Sequence, residues 1–116
     1  MNPSALIKAV MGLHPNMVGV AVIIGPQLNA EVRAEAPQIT ESDLVRMVAQ
    51  AHQVTSIGKL NEAILGKLSY VVFRHKFITV MLFPMDTFNV LAVGVGELRD
   101  FERLAQKIKD TIIASS

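Results

Sequence analysis

The amino-acid sequence predicts an α+β fold, a five-stranded antiparallel sheet covered by helices, with the element order α-β-β-α-β-β-β-α. Three observations lead to this prediction. Apolar stretches rich in β-branched residues lie on both sides of a long segment with helical periodicity. The connections within each group of predicted strands are short, which makes consecutive strands antiparallel neighbours. The first and last segments have the spacing of amphipathic helices, which cover the apolar faces of a sheet.

Size and composition indicate one domain that spans residues 1–116. Hydrophobic residues make up 51% of the chain and charged residues 18%, whereas a charged share of about 25% is usual. This shortage of charge indicates that some apolar surface is covered by another molecule, such as a second copy of the chain. The absence of cysteine excludes a disulfide framework and a thiolate zinc site.

Charge and hydropathy argue against nucleic acid and membrane as partners. Eleven basic and ten acidic residues give a net charge of +1, without the basic excess that nucleic-acid binding requires. No apolar run approaches the roughly 18–20 residues of a membrane span. The N-terminus lacks the basic segment and apolar core of a signal peptide. We therefore expect a cytoplasmic protein without membrane insertion.

The first helix and the first strand have clear boundaries. Asn2-Pro3 provides an N-cap followed by proline at the first helical position, and Gly12 and Pro15 end the helix. Met17 to Ile24 is uninterrupted and rich in β-branched residues, which predicts a strand buried on both faces and central in the sheet.

A turn and an edge strand follow. Gly25-Pro26-Gln27 marks the turn. From Leu28 to Ala36, apolar and polar residues alternate strictly until Pro37. Alternation predicts one buried and one solvated face, as in an edge strand that forms a hairpin with the strand before it.

The central segment, from Glu41 to about Leu65, is predicted to be one long helix, bent near Gly58. Thr40 is the expected N-cap, with Asp43 three residues on. Two apolar faces follow from a rotation of about 100° per residue. One face carries Leu44, Met47, Val48, Ala51 and Val54, and the nearly opposite one carries Ile57, Leu60 and Ile64. Because the sheet can cover only one of them, the second face predicts a contact with another molecule.

Three further strands and a closing helix complete the pattern. The strands are Tyr70–Phe73, Ile78–Phe83 and Phe88–Val93. The closing helix has the apolar stripe Leu98, Phe101, Leu104, Ala105, Ile108 and Ile112. Tyr70, Val72 and Arg74 share one face of a predicted edge strand, which is a candidate for pairing with a second chain.

No arrangement of residues indicates catalysis, a metal or a cofactor. Gly94-Val95-Gly96 follows a strand, but Arg99 stands where the third glycine of a dinucleotide loop belongs, and no second strand completes the unit. The three histidines, His14, His52 and His75, lack the spacing of a helical metal pair. We therefore predict a chain that is not an enzyme and binds no cofactor.

The element order, the central helix with two apolar faces and the three-strand run starting at Leu68 resemble the roadblock/LC7 family over nearly the whole chain. Gly19-Val20 in the first strand and Phe83-Pro84 at the end of the fourth fit this resemblance. One departure is the first hairpin, which such domains often turn on Asp-Gly.

The resemblance implies dimers in which long helices pack together and two sheets join, and it implies scaffolding or regulation of small Ras-like GTPases or light-chain roles on dynein. The predicted partners are a second copy or a related domain, together with a GTPase. The predicted dimer interface comprises Ile57, Leu60, Ile64, Tyr70, Val72 and Arg74. An alternative is a small-ligand-sensing domain of profilin-like or longin-like type, which would need polar groups converging in an apolar cavity.

Overall fold

The computed structural model describes residues 2–34, 36–86 and 89–115. Its elements are α1 (Pro3–Met11), β1 (Met17–Ile24), β2 (Gln27–Val32), α2 (Glu41–Lys59), α3 (Glu62–Leu65), β3 (Val71–Arg74), β4 (Thr79–Pro84), β5 (Asn89–Val95) and α4 (Phe101–Ala114). The predicted fold class and order of elements are confirmed, with the short helix α3 as an addition.

The five strands form one antiparallel sheet in the order β2-β1-β5-β4-β3, so β2 and β3 are its edges. Helices α1 and α4 pack on one face, where Val10 and Ile108 are completely buried against strand residues such as Val22 and Leu91. Helix α2 packs on the other face through Ala51. The predicted covering of the sheet by helices is therefore present on both faces.

The first hairpin has a two-residue turn, Gly25-Pro26, because Ile24 pairs with Gln27. Gly25 has a φ of 55°. A glycine with positive φ followed by proline fits a type II′ turn, since proline fixes φ near −65°. Strand β1 has the predicted bounds, and it is internal because it pairs with both β2 and β5.

The predicted extension of the second strand to Ala36 is wrong, because β2 ends at Val32. Its partner β1 extends only two residues beyond Gly19, the partner of Val32, so few pairing residues remain. The Arg33 side chain then holds the end of β2 against the segment at the end of α1. Its Nη1 donates to Pro15 O at 2.9 Å, and its Nη2 donates to Met11 O at 3.3 Å. Glu35, part of the predicted alternation, lies outside the described residues. The face predicted to be buried is largely open, and Val32 is 58% exposed.

Helix α2 begins at the predicted cap. Thr40 Oγ1 accepts from Asp43 N at 3.1 Å, and Asp43 Oδ2 accepts from Thr40 N at 3.1 Å. These hydrogen bonds with Thr40, and then the Arg46 guanidinium 3.0 Å away, hold the pKa of Asp43 below its ordinary value. The reciprocal bonds satisfy two backbone N–H groups at the start of the helix.

The prediction of a single helix from Glu41 to Leu65 is wrong, because α2 ends at Lys59 and α3 occupies Glu62–Leu65. The last turn of α2 tightens, with Leu60 N bonded to Ile57 O. Two side-chain hydrogen bonds flank the break. Lys59 Nζ donates to Asp86 O at 3.0 Å, and Glu62 Oε2 accepts from Leu68 N at 2.6 Å.

The remaining elements follow the predicted pattern, with boundaries shifted by a few residues. Phe88, the predicted start of the last strand, lies outside the described residues, and β5 is described from Asn89. Leu98 is buried but precedes α4, which Asp100 caps by accepting from Arg103 N at 3.0 Å. Within the described part of the chain, no helix has the length and apolarity required to cross a membrane.

Candidate interaction surface

Helix α2 crosses the strands at one end of the sheet. His52 Nε2 lies 2.6 Å from Gly25 O in the β1–β2 turn, and Lys59 Nζ reaches Asp86 O, just after β4. The register places both of these loops at the same end of the sheet, because Ile24 pairs with Asn89. The helix therefore covers one half of its sheet face and leaves the other half without a helix.

The uncovered half of this face contains one complete row of paired residues, which we call the open row. Its members, one from each strand, are Val32, Gly19, Gly94, Val80 and Phe73. All five lack polar side chains, Val32 is 58% exposed and Phe73 is 38% exposed. Monomeric proteins rarely leave a contiguous apolar surface of this kind in water.

A second exposed apolar region lies where α2 ends, and we call it the helix-end patch. It consists of Ile57 (62% exposed), Leu60 (81%), Ile64 (85%) and Leu65 (79%). The patch lies next to the β3 edge, because Gly58 faces Leu68 just before β3 and an added Cβ would come within 2.6 Å of Leu68 Cδ2. Ile57, Leu60 and Ile64 are thus exposed, as an interface requires, whereas Leu65 and Phe73 were not predicted.

The other three residues of the predicted interface point to the opposite face of the sheet. The ring of Tyr70 stacks on Phe83 with centroids 5.5 Å apart, and Val72 packs against the core under α1 and α4. Arg74 Nη2 donates to Leu98 O at 2.6 Å. Their side chains therefore do not join the helix-end patch. The backbone of β3 lies next to both the helix-end patch and these three side chains. Strand β3 is an edge strand, as predicted.

A groove of about 810 Å³ runs between α2 and the first hairpin, and we call it the hairpin groove. It is lined by Gly25, Pro26, Leu28, Glu41, Leu44, Val45, Val48, Ala49, His52 and Ser56. Its lining is mainly apolar, and the His52 ring is already hydrogen-bonded to Gly25 O. The small-ligand alternative thus has a cavity of suitable volume but few free polar groups to orient a ligand.

Two of the histidines and the glycines Gly94 and Gly96 occupy ordinary loop or strand positions. His14 Nδ1 accepts from Asn16 N at 3.0 Å, and His75 is exposed in the β3–β4 turn. Over the ranges 2–34, 36–86 and 89–115, no three potential ligands of the His, Cys, Asp or Glu type come together. Gly94 lies within β5, and Gly96 N donates to Asn16 O at 2.8 Å, so neither glycine is at the start of α4.

Comparison with known proteins gives matches among solved structures alone. No family model matches the sequence, and no curated protein matches it. The chain is similar to the Roadblock/LC7 domain from Streptomyces avermitilis, with a TM-score of 0.74 and 13% identity, covering 98% of this chain and 94% of that chain. It is also similar to MglC from Myxococcus xanthus, with a TM-score of 0.66 and 10% identity, covering 98% of this chain and 96% of that one.

A third similar structure is the gliding protein MglB from Thermus thermophilus, with a TM-score of 0.69 and 11% identity, covering 97% of this chain and 84% of that chain. Another MglB structure is described as a tetrameric arrangement. At these identities the likeness is one of fold, and it extends over nearly the whole chain.

Proposed function

We propose that this chain, which has the roadblock/LC7 fold, is a non-catalytic dimeric adaptor that scaffolds or regulates a small Ras-like GTPase. The observation that carries the proposal is the helix-end patch. Four large apolar side chains are between 62% and 85% exposed beside a sheet edge. Water is an unfavourable environment for such a cluster, and a second copy of the chain would remove it from water.

The geometry of the two edges supports a specific arrangement for the dimer. Strand β3 is an edge of the sheet, so every second residue directs its backbone groups outward, where β3 of a second copy can pair with them. A two-fold axis at that junction makes the strands antiparallel, so the α2-covered end of one sheet meets the uncovered end of the other. The helix-end patch of each chain then lies over the open row of the second chain, at Phe73 and Val80.

In this arrangement the helix-end patch and the open row are both removed from water. The helix-end patch projects past β3, and the open row begins at β3 with Phe73, which is 38% exposed. An isologous contact of this kind is self-complementary, because each chain supplies the same two surfaces. Tyr70, Val72 and Arg74 would contribute by fixing the β3 backbone, since their side chains are held by their own chain.

The GTPase part of the proposal depends on the resemblance to the roadblock/LC7 family, which implies this class of partner. A test uses the immobilised chain in extract of the source organism, with either GDP or a non-hydrolysable GTP analogue added. We expect a Ras-sized GTPase to be retained more strongly with one nucleotide than with the other. Retention of no GTP-binding protein with either nucleotide would contradict this part of the proposal and leave dimerisation to be judged separately.

Dimerisation is tested by molar mass in solution. Multi-angle light scattering on the intact chain is expected to give twice the mass of 12.6 kDa for one chain. A second measurement, crosslinking between cysteines introduced at Val71 in β3, checks the proposed junction, because a two-fold axis at β3 brings both copies of this position close together. A monomer mass at high concentration would exclude the proposed adaptor.

A further inference from the structure

The second edge of the sheet, β2, has a row of backbone groups that point away from the sheet. Arg33 N donates to Val18 O at 2.8 Å, so Arg33 is directed toward β1. Antiparallel pairs alternate between residues that bond to the partner and residues that point outward. Leu28, Ala30 and Val32 therefore direct their N–H and C=O groups away from β1. Among the described residues, no loop backbone group hydrogen-bonds to them.

Strand β2 lacks the usual sequence features that prevent another strand from pairing with an edge. Proteins protect exposed edges with proline, lysine, bulges or very short strands. Strand β2 has six residues, and its sequence Gln-Leu-Asn-Ala-Glu-Val contains one charged residue, Glu31. All of its residues except Leu28 are exposed. As far as the structure describes the chain, the outer side of β2 is thus available to another strand.

The hairpin groove lies beside this edge on the α2 face. Leu28 forms its floor, and Leu44, Val45 and Val48 of α2 form its opposite wall. Val45 is 68% exposed. The groove volume of about 810 Å³ lies within the roughly 300–1,000 Å³ that is typical of ligand-binding pockets. A strand added to β2 would direct every second side chain toward the α2 face of the sheet, and the side chain beside Leu28 would lie at this groove.

We propose that the β2 edge and the hairpin groove form a docking site for an extended segment of a partner protein, which adds to the sheet as a sixth strand. Backbone hydrogen bonds to Leu28, Ala30 and Val32 hold the segment, and its aliphatic side chain beside Leu28 enters the groove. In this mode of recognition the main chain provides affinity and the side-chain pockets provide specificity.

Charge further defines the segment. Glu31 pairs with Val20, a residue of the α1 and α4 face, so its carboxylate is on the side away from the groove. The residue of the added strand opposite Glu31 is therefore basic, because opposite charges across neighbouring strands attract. The site does not depend on the proposed dimer, since β2 and β3 are opposite edges.

The test selects peptides from a phage-displayed library of random linear sequences against the intact chain. We expect enriched sequences to alternate aliphatic with polar or basic residues. A synthetic copy of the best peptide should slow amide hydrogen exchange at Leu28, Ala30 and Val32 and leave β3 unchanged. In Ala30→Pro the outward N–H is lost and the ring obstructs the added strand, so affinity should fall by at least about 10-fold. Ala30→Ser keeps the N–H and should bind normally.

A second pair of variants tests the groove. Val45→Glu places a second carboxylate in the groove, which Glu41 also lines, and should weaken binding of an aliphatic side chain. Gln53→Glu adds the same charge elsewhere on α2 and should not. The site is disproved if no peptide is enriched, or if the enriched peptides bind Ala30→Pro as well as wild type. A wild-type chain that forms larger assemblies than Ala30→Pro would show that another copy occupies the edge, and this too would overturn the proposal. Leu60→Glu with Ile64→Glu should still bind the peptide, which separates this result from a failure of dimerisation.

Discussion

Replacing Leu60 and Ile64 together by glutamate should convert the proposed dimer into a folded monomer. Both side chains are more than 80% exposed in a single chain, at 81% and 85%. Glutamate is therefore solvated in the isolated chain, and the core under α1, α2 and α4 keeps all its contacts. In the proposed dimer the same positions lie over the open row of the second copy, where a carboxylate would be desolvated without a partner.

The size of the effect follows from the area removed from water. Complete burial of a leucine or isoleucine side chain contributes about 1.5–3 kcal/mol. A two-fold dimer contains two copies of each residue, so the double substitution removes about 6–12 kcal/mol of association free energy. Even the lower figure corresponds to about a 10⁴-fold increase in the dimer dissociation constant.

Light scattering over a range of concentrations measures this change, and circular dichroism verifies that the variant is folded. Ile113→Glu with Ala114→Glu is the matched control, because it adds the same charge at exposed positions of α4, where Ile113 is 70% exposed. The control should remain a dimer. A glutamate variant at positions 60 and 64 with an unchanged dimer dissociation constant would refute the assignment of the helix-end patch to the interface.

Three further predictions concern single contacts, each measured by urea unfolding. Because the pKa of Asp43 lies below its ordinary value of 3.8, its stabilisation is present above that value and disappears as the pH falls through the lowered pKa. Wild type and Asp43→Ala should therefore differ at about pH 7, and the difference should shrink as the pH falls below 3.8. A difference that stays unchanged in acid would contradict this. Gly58→Ala should not give the usual gain of about 1 kcal/mol in a helix, because the new Cβ would lie 2.6 Å from Leu68 Cδ2. The gain should appear in a Leu68→Ala background, and equal effects in both backgrounds would argue against the clash. Arg33→Ala should cost about 1.5–3 kcal/mol through the loss of two charge-assisted hydrogen bonds, and Arg33→Lys, with one ammonium for two carbonyl oxygens, should recover less than half.

Local signals in the sequence were sufficient for most of the fold. The β-branched run of β1 is bounded by turn residues, and the cap formed by Thr40 and Asp43 needs residues within three positions of each other. The end of β2 and the break after α2 coincide instead with side-chain contacts to backbone groups outside the local pattern. Arg33 is held by carbonyls of the α1 region, and Lys59 and Glu62 are held by Asp86 and Leu68. Periodicity contains no information about such contacts.

The candidate surface could be predicted in part for the same reason. Helical spacing singled out Ile57, Leu60 and Ile64 because they fall outside the stripe that packs on the sheet. Alternation grouped Tyr70 with Val72, but it does not reveal which side of the sheet α2 covers. The two groups were therefore assigned to one interface although they lie on opposite faces. The open row was missed because its members come from five strands and become neighbours through the register alone.

The placement of β2 and β3 at opposite edges determines the valency of the assembly. In a dimer joined through β3, the two β2 edges are the outermost strands of a ten-stranded sheet, and strands about 4.8 Å apart place them about 43 Å from each other. A spacer of about 10 residues extends to at most about 35 Å and cannot connect them. A flexible spacer of about 60 residues has a matching root-mean-square length. A partner with two binding segments separated by such a spacer would occupy both ends at once and be retained more strongly than a partner with one.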